Sequence, residues 1–159
     1  MKDYVKYLII SILLQLLFSE LISINGVQPN ILLLFIIFSS LSISNATFST
    51  LLGFSLGFVG ELIFYSGTIF GISSLTFSVV GFFASKVSNN FVYRNFDFYW
   101  IIFSILGIFV FSFFKYEFYV FSNLKFILGP IYMTMYTIFV GLILVRLLSL
   151  KNEILNAQN

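Results

Sequence analysis

Residues 29–65 read PNILLLFIIFSSLSISNATFSTLLGFSLGFVGELIFY, and this stretch contains a single charged residue, Glu61. It consists of two apolar segments joined by the polar pair Ser44 and Asn45. A bilayer core of about 30 Å is crossed by about 20 helical residues, so each segment approaches the length of a transmembrane helix. Because the linking turn is so short, the two helices must be adjacent. The stretch therefore predicts an antiparallel transmembrane hairpin.

The composition of the whole chain agrees with a membrane protein. Of its 159 residues, 60% are hydrophobic and 9% are charged, whereas a soluble domain is about half apolar and a quarter charged. A soluble domain of this size buries only about two thirds of its unfolded surface. The 23 Phe and 9 Tyr side chains could not all be hidden there, but a bilayer could cover the remainder.

Charge and residue content exclude several classes of function. The net charge of +2 is spread along the chain without a dense basic block, which argues against nucleic-acid binding. The absence of Cys and His removes disulfides, thiol nucleophiles and the commonest zinc ligands. We therefore expect no metal and no cofactor.

Hydropathy predicts one all-α domain over residues 1–159, a bundle of about six transmembrane helices. Lys2 and Lys6 precede the first apolar run, but no cleavage site of the A-x-A type follows, so we expect an uncleaved first helix. Two longer connections, at 86–97 and 115–125, carry charges of both signs. The predicted spans are 4–24, 29–44, 46–65, 69–85, 98–114 and 126–149.

The distribution of basic residues predicts the orientation. Lysine and arginine favour the cytoplasmic side of a membrane, and placing the N-terminus there leaves only Lys115 and Lys125 outside. Both termini are then cytoplasmic. The basic residues predicted inside are Lys2, Lys6, Lys86, Arg94, Arg146 and Lys151.

Small and polar residues recur on single faces of three predicted helices. Such faces let helix backbones approach closely within a membrane, so we interpret them mainly as packing faces, with a substrate channel as the alternative. The fifth helix has few small residues and is expected to face lipid over most of its circumference. The faces are Ser11, Gln15, Ser19 and Ser23; Ser49, Gly53, Gly57 and Glu61; and Gly67, Gly71, Ser74, Ser78, Gly81 and Ser85.

Glu20 and Glu61 are the two acids within predicted spans. An ionisable group at membrane depth costs about 2–4 kcal/mol or more and needs a reason. Glu20 is interpreted as an interfacial acid. Glu61 continues a glycine face, and two roles stay open for it, a structural hydrogen bond or contact with a partner or ligand. Neither acid has a catalytic companion in its own span.

Three motifs resemble the MreD family of rod-shape-determining proteins. Val27 to Asn30 resembles its proline and acidic or amide residue at the start of the second helix, with Asn30 where Asp is usual. The run from Gly53 through Gly57 and Gly60 to Glu61 resembles its glycine-rich third helix ending in an acid. Gly67 and the run from Gly71 to Leu75 resemble the entry to its fourth helix.

The resemblance implies a non-catalytic inner-membrane scaffold of the cell-elongation and peptidoglycan-synthesis machinery. Its implied partners are MreC, the actin-like MreB, RodA and a transpeptidase penicillin-binding protein. The family is similar in helix arrangement to the substrate-binding subunits of energy-coupling-factor transporters, so a vitamin-binding transporter subunit is the alternative function. A membrane-embedded enzyme lacks a nucleophile, base or metal constellation. Candidate packing or partner contacts are Pro29, Asn30, Gly53, Gly57, Gly60, Glu61, Gly71, Ser74, Ser78 and Gly81.

Overall fold

The computed structural model describes residues 9–17, 27–42, 45–63, 70–115 and 124–147. Helices account for nearly all of these residues, which confirms the prediction of an all-helical chain. Glu20, Gly67 and the ends of the first predicted span lie outside the described residues. The helices are α1 (residues 9–17), α2 (Ile31–Ser42), α3 (Ala46–Ile63), α4 (Ile72–Lys115) and α5 (Leu124–Leu147).

Helix α4 reverses direction between its two ends. A straight helix would hold Val80 and Gly107 about 40 Å apart, at 1.5 Å per residue. In the structure, a Cβ built on Gly107 lies 3.2 Å from Cγ2 of Val80. The helix is therefore folded into two packed arms, α4a (Ile72–Ser88) and α4b (Phe98–Phe113).

The prediction of a connection at 86–97 between two spans agrees with this reversal, although the backbone is assigned as helical through it. The six predicted segments nevertheless correspond to α1, α2, α3, α4a, α4b and α5. Lengths differ by a few residues at several ends. At its start the second predicted segment shortens by two residues, since α2 begins at Ile31; its 12 residues amount to about 18 Å of helix.

Helix α2 is the centre of the bundle. Ten of its 12 residues are buried, and it contacts each of the other helical segments. Leu32 lies against Gly60 of α3, and Leu33 lies against Gly107 of α4b. The Ser88 hydroxyl of α4a donates to the Leu41 carbonyl at 2.6 Å. Such an apolar sequence, without an obvious polar face, suits a helix covered on all sides.

The closest helix pair is α3 with α4a, which run antiparallel. A Cβ on Gly53 would collide with the backbone carbonyl of Phe77, and one on Gly57 with the backbone of Ser74. A Cβ on Gly81 would lie 2.7 Å from the Ser49 carbonyl oxygen. Each close contact is thus backbone against a residue without a side chain. Only glycine permits this approach.

Two expectations about the fourth and fifth predicted helices are wrong. Gly71 precedes α4, and among the described residues nothing lies within 4 Å of a Cβ built on it, so it is not packed as Gly53, Gly57 and Gly81 are. The fifth predicted helix, α4b, is not largely exposed, since Trp100 and Ile108 are completely buried. Trp100 packs edge-on against Phe38, with ring centroids 5.6 Å apart.

The exterior of the bundle is strongly apolar. Leu51 and Leu62 of α3 are 61% and 60% exposed, and Met135 of α5 is 65% exposed. Exposed apolar surface on this scale marks a contact with lipid or protein. Among the described residues, two segments are long and apolar enough to cross a membrane, α3 and Leu128–Arg146 within α5.

Replacing Gly81 with Leu should destabilise the bundle, because its side chain would meet the Ser49 backbone. Overpacking costs about 1–3 kcal/mol. Phe82→Leu is the matched control, since Phe82 is adjacent and exposed. Thermal unfolding in mild detergent measures the difference. Equal melting temperatures for the two variants would show that the contact is not constrained.

Candidate functional site: two capped helix ends

The N-terminal end of α2 is held by side chains from three segments. The backbone N–H of Ile31 donates to Gln15 Oε1 at 2.7 Å, and Gln15 Nε2 donates to the Pro29 carbonyl at 3.2 Å. The N–H of Asn30 donates to Thr137 Oγ1 of α5 at 3.0 Å. The Asn30 side-chain oxygen accepts from the Leu33 N–H at 3.0 Å, which makes Asn30 the N-cap.

This arrangement satisfies backbone groups that would otherwise be costly to bury. The first N–H groups of a helix have no partner within the helix, and an unsatisfied buried donor costs about 1–3 kcal/mol. Gln15 is 8% exposed and Thr137 is fully buried, so water has little access to hydrogen-bond these backbone groups. Pro29, expected in the first turn, instead lies one residue before the cap. The result is a polar junction of α1, α2 and α5.

The second capped end is the start of α4, and Glu61 of α3 caps it. Its Oε2 accepts from the Gly71 N–H at 2.7 Å, and its Oε1 accepts from the Ser73 N–H at 2.5 Å. A carboxylate also suits the positive end of the helix dipole. Gly71 has a φ of 101°, a conformation that glycine adopts without the strain of other residues. Glu61 therefore fixes the start of α4 against α3.

These bonds give Glu61 a structural hydrogen-bonding role, one of the two roles left open by the sequence. Both carboxylate oxygens already accept backbone donors. Among the described residues, no group of three or more Asp or Glu lies together as a metal site would require. The geometry at both junctions therefore supports positioning of helices.

The structure separates the predicted contact residues into three places. Pro29 and Asn30 belong to the junction at α2, and Glu61 and Gly71 belong to the cap of α4. Gly60 packs against Leu32 of α2. The remaining residues lie in the α3–α4a contact, namely Gly53, Gly57, Ser74, Ser78 and Gly81.

Two residues of the α2 junction were not singled out for it. Gln15 was assigned to the polar face of the first helix, and Thr137 was not among the predicted contact residues. Both are polar residues within apolar segments, a signal that the sequence contains. The distance of 107 residues between Asn30 and Thr137 left their pairing invisible to local patterns.

Comparison with known proteins identifies the family. The family model described as rod shape-determining protein MreD matches residues 4–151, nearly the whole chain. The chain belongs to the MreD family. No curated protein and no solved structure matches it at significant similarity.

The match to the MreD family model covers every described helix of this protein. The match includes Gln15 and Thr137 as well as the motifs at Pro29, Glu61 and Gly71. The family resemblance also implied a helix arrangement similar to that of energy-coupling-factor transporter subunits. This similarity gains no support, because no solved structure matches the chain. The fold is therefore described by its own contacts.

Replacing Thr137 with Val should lower stability by about 1–3 kcal/mol, because the part-buried Asn30 N–H would lose its acceptor. Thr50→Val is the matched control. Its hydroxyl donates to the Ala46 carbonyl within the same helix at 2.7 Å, so no other element loses a partner. Urea or thermal unfolding of both variants measures the difference, and a Thr50→Val variant as unstable as Thr137→Val would contradict the assignment.

Proposed function

We propose that this MreD-family protein is a non-catalytic membrane scaffold of the cell-elongation machinery that builds peptidoglycan in rod-shaped bacteria. The observation that carries the proposal is the family match over residues 4–151. MreC and other membrane components of that machinery, including RodA and a transpeptidase penicillin-binding protein, are the proposed partners. MreB is the proposed cytoplasmic partner.

The polar side chains of the bundle bind backbone groups of its own helices, which supports a scaffold function. Glu61 accepts hydrogen bonds from two backbone N–H groups. Among the acids of the chain, it is the one whose side chain lies within the described residues. Gln15 and Thr137 likewise bind backbone groups of their own chain. Catalysis needs a nucleophile or base directed at a substrate. These side chains are directed at neighbouring helices.

The apolar exterior supports contact with other membrane helices. Exposed large side chains follow each other along α5 at four- and three-residue steps, which places them on one face of the helix. A scaffold needs outer helix faces for its partners while its own core stays packed. The exposed residues of this face are Leu128, Tyr132, Met135, Phe139 and Leu142.

Co-purification tests the proposed function. The full chain, tagged and extracted in mild detergent from a rod-shaped host depleted of its own MreD, should restore rod shape and recover MreC. Recovery of an ATPase-linked transporter subunit instead, with cells that stay round, would contradict the scaffold.

Glu61 variants in the same strain separate a structural acid from a catalytic one. Glu61→Gln keeps one oxygen that can accept an N–H but cannot exchange a proton at neutral pH. We expect it to restore rod shape better than Glu61→Ala. If Gln failed as completely as Ala at equal membrane abundance, proton transfer by Glu61 would be required and the protein would not be a simple scaffold.

We further propose six inner-membrane spans with both termini in the cytoplasm. The excess of basic residues on that side supports this orientation. A single Cys at Asn90 should resist an impermeant maleimide in intact cells and react after lysis, whereas a Cys at Tyr119 should react in both. Labelling of the Asn90 position in intact cells would refute the orientation.

A further inference from the structure

The cap of α4 differs in charge from the caps of α2 and α3. Asn30 accepts the Leu33 N–H at the start of α2, and Asn45 accepts the Phe48 N–H at the start of α3 at 3.1 Å. Both of these caps are neutral amides in the segment that leads into the helix. The start of α4 is capped instead by a carboxylate from another helix, Glu61. Since a neutral side chain suffices for capping, the charge of Glu61 has a further reason.

The hydrogen bonds of Glu61 leave part of its charge uncompensated. A carboxylate has about four acceptor positions, and the Gly71 and Ser73 amides occupy two of them. The dipole of α4 contributes about half a positive charge. Glu61 is partly exposed and lies two residues from the end of α3, where an ionised group within a membrane span is costly. A cation beside the carboxylate would offset this cost.

The basic side chains that the structure describes, Lys86 and Arg146, lie at the opposite end of the bundle. The Lys86 ammonium is 5.7 Å from the centre of the Phe82 ring, near the end of α4a. Arg146 is in the last turn of α5, about one turn beyond the contact of that helix with Trp100. Neither of these two cations is therefore placed to pair with Glu61.

Two exposed aromatic rings lie beside the carboxylate. Phe58 precedes Glu61 by three residues on α3, a spacing that makes two side chains neighbours on a helix. The Phe70 ring packs edge-on against Phe58, with ring centroids 5.5 Å apart, and Phe70 directly precedes Gly71, which donates to Glu61. The rings of Phe58 and Phe70 are 39% and 52% exposed. Because the faces of aromatic rings attract ammonium groups, the carboxylate and the two rings together suit an organic cation.

We propose that Glu61, Phe58 and Phe70 bind the primary ammonium headgroup of a membrane lipid of the phosphatidylethanolamine class. The ammonium donates to the remaining acceptor positions of the carboxylate and lies against the rings, as the ammonium of Lys86 lies above Phe82. The inference requires the bundle to lie in a bilayer. It depends neither on the orientation of the bundle nor on partner proteins.

A lysine of a partner helix would offer the same ammonium group, but two observations favour a lipid. The cost of a carboxylate at membrane depth is present before any partner binds, and lipid surrounds the free protein as well. The apolar side chains exposed on α3 also continue from the site toward the start of the helix, where they can line the acyl chains of a bound lipid. They are Phe54, Leu51 and Phe48.

Carbodiimide coupling in vesicles of defined composition tests the proposal. The full chain is reconstituted in dioleoyl-phosphatidylcholine, with or without an equal amount of dioleoyl-phosphatidylethanolamine, and treated with dicyclohexylcarbodiimide. The reagent activates a carboxylate, an amine in contact with it forms an amide, and the carbodiimide leaves as its urea with the elements of water. Mass spectrometry should find the Glu61 peptide linked to phosphatidylethanolamine. In phosphatidylcholine alone, activated Glu61 should rearrange to its N-acylurea, which shows that the reagent reaches it.

Leucine substitutions test the contribution of the rings. Phe58→Leu and Phe70→Leu should each lower the amide yield about twofold to fivefold, the loss expected for one exposed cation–π contact. The matched control is Phe83→Leu, since Phe83 is exposed on α4a and remote from Glu61, and it should leave the yield unchanged. The N-acylurea yield of each variant in phosphatidylcholine is its own reference for access to Glu61.

Formation of the N-acylurea alone in both lipids would overturn the proposal. So would an unreactive Glu61, because a site open to a lipid headgroup is also open to the reagent. An amide from Glu61 to a lysine of its own chain, or in native membranes to a lysine of another protein in place of lipid, would assign the site to that lysine instead. Purified protein in vesicles has no partner, so the lipid site and the scaffold function can fail separately.

Discussion

The approach of the α3 and α4a backbones is the constraint on which the rest of the bundle depends. Gly53, Gly57 and Gly81 each place backbone against backbone, and any side chain at these positions would collide. Between helices in an apolar environment, close packing and hydrogen bonds provide the association. With α3 and α4a in contact, the short turn before α3 places α2 beside both, and α4b folds back over it.

Hydrogen bonds from a few polar side chains stabilise the helix ends that packing leaves unsatisfied. Packing alone would leave the amide groups at the starts of α2 and α4 without partners. Gln15, Asn30 and Thr137 supply them for α2, and Glu61 supplies them for α4. Each of these bonds joins separate parts of the chain or caps a helix end. The few polar side chains within the bundle thus specify how the helices are placed along their axes.

The sequence predicted the helices well because their signals are local. Apolar run length located the segments, and four-residue spacing identified Gly53, Gly57 and Gly81 as contact residues before their neighbours were known. Gly71 was misassigned because spacing alone cannot distinguish a packed glycine from one that supplies a positive φ. The connection at 86–97 was located by its charged residues, but its helical backbone was not predicted, since charge content alone does not specify backbone conformation. Thr137 and Asn30 could not be paired, since nothing local connects residues so far apart.

Trp100 is the only tryptophan of the chain, so the fluorescence of the protein at tryptophan wavelengths comes from one known place. It is completely buried, and its ring lies against Phe38 while leaving space for no side chain at Gly141. Three segments, α2, α4b and α5, therefore meet at one fluorophore. Its emission reports the closure of this region directly, without a label: a shift to longer wavelength or access to a dissolved quencher would register the departure of α5 from the bundle while the other helices remain in place.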